Sequence, residues 1–89
     1  MQGCVYAFGD PRDGAIRYVG FTTNLKSRMS YHRGIAKRGH PSRVYQWFRE
    51  VELPVLVVLE HDCPPERELY WIGRFSGLLN RNFNGRITY

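Results

Sequence analysis

Apolar positions change their period several times along the chain. Val5 to Phe8 and Ile16 to Gly20 are short runs rich in aromatic and β-branched residues, and Gly9-Asp10-Pro11-Arg12-Asp13-Gly14 between them is dense in turn formers. An antiparallel hairpin is predicted. Leu25, Met29, His32, Ile35 and Ala36 then recur on one helical face, behind the N-cap candidates Thr22, Thr23 and Asn24 and ahead of Gly39, so a helix is expected from about Leu25 to Lys37. Val44, Trp47 and Phe48 define a second helix, with Pro41 at or near its first position and its end before Pro54. Val55 to Glu60 is a β-branched run without a turn residue and reads as the central strand of a three-stranded sheet. Pro64-Pro65-Glu66 opens a third helix expected to reach about Gly77, and the Asn- and Gly-rich tail from Leu78 to Gly85 does not continue it.

With 89 residues and 43% apolar composition, one small core and one domain over residues 1–89 are expected, with no room for a separate recognition domain. No apolar run approaches the ~20 residues of a membrane span, and the N-terminus lacks signal-peptide character. A soluble, intracellular protein with no membrane partner is therefore expected. Cys4 and Cys63 are far apart and lack metal-ligand spacing, so they are read as reduced, buried fillers.

The distribution of charge says more than the net +5. From Gly14 to Arg49 there is no Asp or Glu, while Arg17, Lys26, Arg28, Arg33, Lys37, Arg38, Arg43 and Arg49 all fall in that stretch, with His32 and His40. This is either a solvated basic face or a footprint for a polyanion, and the one-sign half favours a nucleic-acid partner.

Arg28 and His32 are four residues apart and so share a side of the first helix; His32 falls near the middle of the stripe facing the sheet and Arg28 at its edge. His32 is either a satisfied core histidine or a catalyst. On the third helix Glu68, Trp71, Ile72 and Phe75 stand at i, i+3, i+4 and i+7, so one carboxylate heads an apolar stripe. Glu68 is either half of an internal ion pair, with Arg28 as the candidate partner, or a ligand for Mg²⁺, which takes oxygen donors and often only one or two carboxylates. Tyr6 and Tyr18 would fill the sheet surface, His40 would sit in a loop, and Asn80, Asn82 and Asn84 would shape a turn.

Taken together in order, Val5-Tyr6, Tyr18-Val19-Gly20, Arg28 with His32, His40 before Pro41-Ser42, Glu68 before Trp71, and Asn80 resemble the GIY-YIG nuclease domain over residues 3 to about 85. The likeness is closest to small phage-type and homing-type members, with a counterpart for Glu66-Arg67-Glu68-Leu69-Tyr70-Trp71-Ile72. Cys4-Val5 stands before Tyr6 where the family's first motif normally opens with glycine and a branched aliphatic residue. The resemblance implies an α/β (α+β) fold, a three-stranded antiparallel sheet flanked by helices. It implies hydrolysis of DNA phosphodiester bonds with one Mg²⁺ per site, Mn²⁺ substituting, leaving 5′-phosphate and 3′-hydroxyl ends in a phage or bacterial host cell.

On that resemblance Glu68 would hold the metal, Arg28 would neutralise the scissile phosphate, and Tyr6 would activate water with Tyr18 and His32 beside it. His40 would contact phosphate and Asn80 would brace the site, while Lys26, Arg33, Lys37 and Arg38, from the acid-free stretch, are read from the charge distribution as further phosphate contacts. The substrate would be double-stranded or branched DNA, and cutting both strands would call for a homodimer, a targeting partner or sequential events. A silent nucleic-acid-binding module stacking bases on Tyr31, Tyr45 and Trp47 is the alternative from another class, with a protein-interaction domain a third.

Overall fold

The computed structural model describes residues 2–79, so Asn80, Asn82 and Asn84 lie outside the described residues. Strands β1 (Gly3–Gly9) and β2 (Ile16–Thr22) form the expected hairpin, followed by α1 (Leu25–Lys37), α2 (Arg43–Val51), β3 (Val55–Cys63) and α3 (Arg67–Ile72). All pairings are antiparallel, in the order β2-β1-β3.

The middle strand is thus β1, and the β-branched run of β3 lies at an edge. The reason is two-sided burial. Every residue from Val5 to Gly9 is buried, with Tyr6 and Phe8 on one face and Val5 and Ala7 on the other, whereas Val55, Leu56 and Val57 of β3 are exposed. A branched run reports strand propensity and not which neighbours the strand acquires.

Each face carries its own core. Tyr6, Phe8 and Tyr18 pack with Ala36 of α1 and Val44, Tyr45, Trp47 and Phe48 of α2. Val5, Ala7 and Val19 pack on the opposite face with Ile72 of α3, Cys63 and Leu78, flanked by Trp71 and Phe75.

Local chemistry explains the boundaries. The hairpin turn closes through Asp10 N–H to Ala15 O (2.8 Å) and Gly14 N–H to Asp10 O (2.8 Å), with Gly14 at φ 76°. The buried Asp10 carboxylate accepts from the Arg12 backbone N–H (2.8 Å), Arg12 Nε (2.9 Å) and Trp47 Nε1 (3.0 Å), tying the turn to α2. Asn24 caps α1 by accepting from Ser27 N–H at 3.0 Å, and Gly39 at φ 83° ends it.

Helix α2 begins at Arg43 rather than Pro41, because the Ser42 hydroxyl takes the N-cap and accepts from Tyr45 N–H at 3.3 Å. Helix α3 stops at Ile72, well short of Gly77. Beyond it the backbone tightens into i to i−3 bonds at Arg74 and Phe75, and Gly77 turns at φ 75°. Phe75 still reaches the α3-side core from outside the helix.

After α3 the chain crosses the outer edge of β2. Leu79 N–H donates to Arg17 O at 2.7 Å, and Arg17 donates from its guanidinium to Gly77 O at 3.3 Å. Leu78 enters the α3-side core and Leu79 packs against the tyrosine-side core, so consecutive residues plug opposite faces of the sheet.

Candidate active site

Tyr6 and Tyr18 project from the same face, as expected, with ring centroids 5.9 Å apart. Tyr6 is registered opposite Gly20 and Tyr18 opposite Phe8, so the two phenols are diagonal neighbours. Gly20 makes this possible. A Cβ there would stand 2.7 Å from Tyr6 Oη, 2.8 Å from Tyr6 Cζ and 2.9 Å from Tyr18 Cε1. Its lack of a side chain makes room for the two rings, one from each strand of the hairpin.

His32 descends from α1 onto this pair. Its Nε2 is hydrogen-bonded to Tyr6 Oη at 2.7 Å, its Nδ1 to Tyr45 Oη of α2 at 2.9 Å, and its ring meets Tyr18 edge-on at 5.1 Å. All four side chains are 1% exposed. Burial, and secondarily the positive charge of Arg28, lower the His32 pKa to about 4, so the imidazole is neutral around neutral pH.

Arg28, one turn earlier, is part-buried, with its guanidinium 5.3 Å from the centre of the exposed Tyr31 ring. It borders an open groove with Thr22, Thr23, Asn24, Ser27 and Tyr31 at the start of α1. Among the described residues no carboxylate lies within ion-pair distance of Arg28.

Glu68 arrives from the other side of the sheet. It sits in the first turn of α3, where the adjacent stripe residues Trp71 and Ile72 pack on the face opposite the tyrosines. Desolvation raises its pKa, while a hydrogen bond with the Phe21 backbone and the charge of Arg28 pull it back. It therefore meets the site at Phe21, on strand β2. Among the described residues no three or more His, Cys, Asp or Glu side chains cluster to hold a metal ion. A cation bound here would take a carboxylate oxygen from Glu68 and fill most of its remaining positions from water and phosphate. Mg²⁺ accepts that donor set, and the desolvated charge of Glu68 favours a cation beside it.

The remaining expected residues divide. Lys26, Arg33 and Lys37 are exposed but lie roughly 140–180° around α1 from Arg28, on the far flank, and Arg38 is the exposed C-cap residue. The structure does not gather them with the site. His40 is exposed, accepts from Ser42 N–H at Nδ1 (3.1 Å) and packs edge-on against Tyr45 at 5.3 Å, one ring removed from His32. Tyr45 and Trp47 are buried at 1% and 7% exposure, so neither is available to stack on a base as the silent-module reading expected. Tyr45 is instead the residue that sequence reasoning missed. Its position next to Val44, three before Phe48, already put it within reach of the core face of α2.

The described residues thus form a three-stranded sheet with an aromatic pair on its hairpin, a cation and a histidine on α1 and a carboxylate on α3. The model of the GIY-YIG catalytic domain matches residues 2–84, and the chain belongs to that family. No curated protein and no solved structure matches it. The family carries endonuclease activity on DNA and generally depends on a divalent metal. No helix among the described residues is long and apolar enough to cross a membrane.

Proposed function

We propose that residues 1–89 form a Mg²⁺-dependent endonuclease domain that hydrolyses phosphodiester bonds of duplex or branched DNA to 5′-phosphate and 3′-hydroxyl ends, with Mn²⁺ able to replace Mg²⁺. The observation that carries this reading is the position of Arg28, part-buried at the edge of the open groove at the start of α1 and one helical turn from His32. A phosphate entering the groove beside Arg28 meets a guanidinium without a carboxylate partner among the described residues, and charge building on its oxygens is stabilised there. Bound at Glu68, the divalent ion supplies Lewis-acid stabilisation of the phosphoryl oxygens.

Tyr6, held at 2.7 Å from a neutral imidazole, passes its proton to His32 and in turn deprotonates the attacking water. Tyr18, packed against both rings, fixes their orientation. His40 contacts phosphate, and Asn80 braces the site by hydrogen bonds. Lys26, Arg33, Lys37 and Arg38 hold DNA by charge along the outer flank of α1, where they affect affinity more than rate.

The test is supercoiled plasmid with and without Mg²⁺, comparing the unmodified chain with Glu68→Ala. The variant should lose metal-dependent nicking while its affinity for DNA in Ca²⁺ stays nearly intact. Undiminished cleavage by Glu68→Ala would remove the metal assignment.

A further inference from the structure

A histidine bonded at both ring nitrogens, buried and neutral, has only two arrangements. Neutral imidazole carries one N–H and one lone pair, so fixing the bond at one nitrogen fixes the other. With the proton on Nδ1, His32 donates to Tyr45 Oη and its Nε2 accepts from Tyr6. With the proton on Nε2, His32 donates to Tyr6 and can no longer take its proton.

We propose that Tyr45 is a positioning residue, holding His32 in the Nδ1–H tautomer and so presenting the Nε2 lone pair to Tyr6. The geometry supports this. Tyr45 Oη lies 2.9 Å from Nδ1 and Tyr6 Oη lies 2.7 Å from Nε2, so a phenol hydroxyl, able to donate or accept, stands at each ring nitrogen. Tyr45 is itself immobilised: its backbone N–H is bound by the Ser42 cap, its ring packs with Phe48 (6.1 Å) and His40 (5.3 Å), and it is 1% exposed. The directional choice rests on the proposed role of Tyr6, because only this tautomer offers an acceptor for its proton.

The steps balance. The Tyr6 O–H bond breaks as a new Nε2–H bond forms, giving phenolate and an imidazolium whose Nδ1–H stays on Tyr45. The phenolate takes a proton from the attacking water, whose oxygen forms the new P–O bond while the P–O3′ bond breaks. The 3′-oxygen gains a proton from solvent and the imidazolium releases one to solvent, restoring both side chains. A carboxylate that holds a catalytic histidine's tautomer is worth about 10⁴ in rate. A neutral phenol is a weaker acceptor, and about ten- to a hundredfold is expected of Tyr45.

The decisive measurement is long-range ¹H–¹⁵N correlation of the His32 ring in the full chain at neutral pH, free of DNA and metal. A protonated Nδ1 and a bare Nε2 are expected, and in Tyr45→Phe, which keeps the ring and removes only the hydroxyl, a mixture of tautomers. Single-turnover nicking by Tyr45→Phe should slow by about ten- to a hundredfold with unchanged KM. An Nε2–H tautomer in the unmodified chain, a tautomer unmoved by Tyr45→Phe, or a shifted tautomer with an unaltered rate each overturns the proposal. The ring spectrum is read without turnover, so a chain that cuts nothing would refute the nuclease reading while the tautomer is still measured.

Discussion

Gly20→Ala is the smallest change that tests how tightly the site is built. The added Cβ would stand 2.7 Å from Tyr6 Oη, about 0.7 Å inside the 3.4 Å at which ordinary contact begins, with Tyr6 Cζ and Tyr18 Cε1 almost as close. A flexible surface side chain would swing away, but these rings cannot. Tyr6 and Tyr18 are each 1% exposed, packed against Phe8 at 5.7 and 5.6 Å, and Tyr6 is bonded to His32. Moving Tyr6 Oη by that shortfall stretches a 2.7 Å hydrogen bond to the limit of bonding. Overpacking of a tight core costs about 1–3 kcal/mol and a weakened buried hydrogen bond about 1 kcal/mol more, so a loss of about 2–4 kcal/mol is expected. For a domain of this size that lowers Tm by roughly 8–30 °C. Near-ultraviolet circular dichroism, which reports the tyrosine environment, followed during heating is the suitable assay. A variant that melts at the unmodified Tm and nicks plasmid at the unmodified rate would refute both the packing and the coupling of Gly20 to Tyr6.

Other outcomes follow from the same geometry. Arg28→Ala should lower the nicking rate by about 10³-fold, as removal of a charge-stabilising arginine from phosphoryl transfer does; a change in DNA affinity alone would make it an anchor. The same variant should raise the His32 pKa, read by NMR titration, because the repelling cation is gone. His32 also makes stability pH-dependent. Its folded pKa of about 4 lies below the ordinary 6.5, so the unfolded chain binds a proton that the folded one refuses. Stability should therefore fall by up to about 3 kcal/mol as pH drops from about 6.5 to about 4. Glu68, with its pKa raised, works in the opposite sense, so urea midpoints are compared in a Glu68→Gln background, where a flat profile across that range would contradict the burial of His32. Asp10→Asn should lower Tm by freeing the hairpin turn from Trp47 and Arg12, without a change in metal-dependent cleavage chemistry.

Much of this was legible in the sequence because the signals were local. Asn24, Gly39 and the apolar stripe between them delimit α1 as observed, and the four-residue step from Arg28 to His32 placed one at the edge and one in the core. The hairpin signals put both tyrosines on one face. What could not be read was decided between elements. Spacing within α3 shows that Glu68 heads an apolar stripe but not which face of the sheet that stripe covers, and it covers the one opposite Tyr6. The order of strands was hidden for the same reason, since one neighbour of β1 is its hairpin partner and the other, β3, lies more than 40 residues further along the chain. Tyr45 entered the sequence reading only as a base-stacking aromatic of the silent-module alternative. The polar partner it needed was a buried histidine on another helix.

The crossing of the β2 edge by Leu78 and Leu79 has a consequence for the order in which the molecule assembles. Arg17 and Gly77, the residues that close this crossing, are 60 positions apart, so the contact depends on segments made early and late in synthesis. On a ribosome, the hairpin and α1 can pair and collapse as they emerge. Both cores nevertheless lack a plug until residues 78 and 79 are free to dock. The aromatic cluster and the packing under α3 are thus closed by one docking event, and a nascent chain is expected to reach full packing on both faces only when that event is complete.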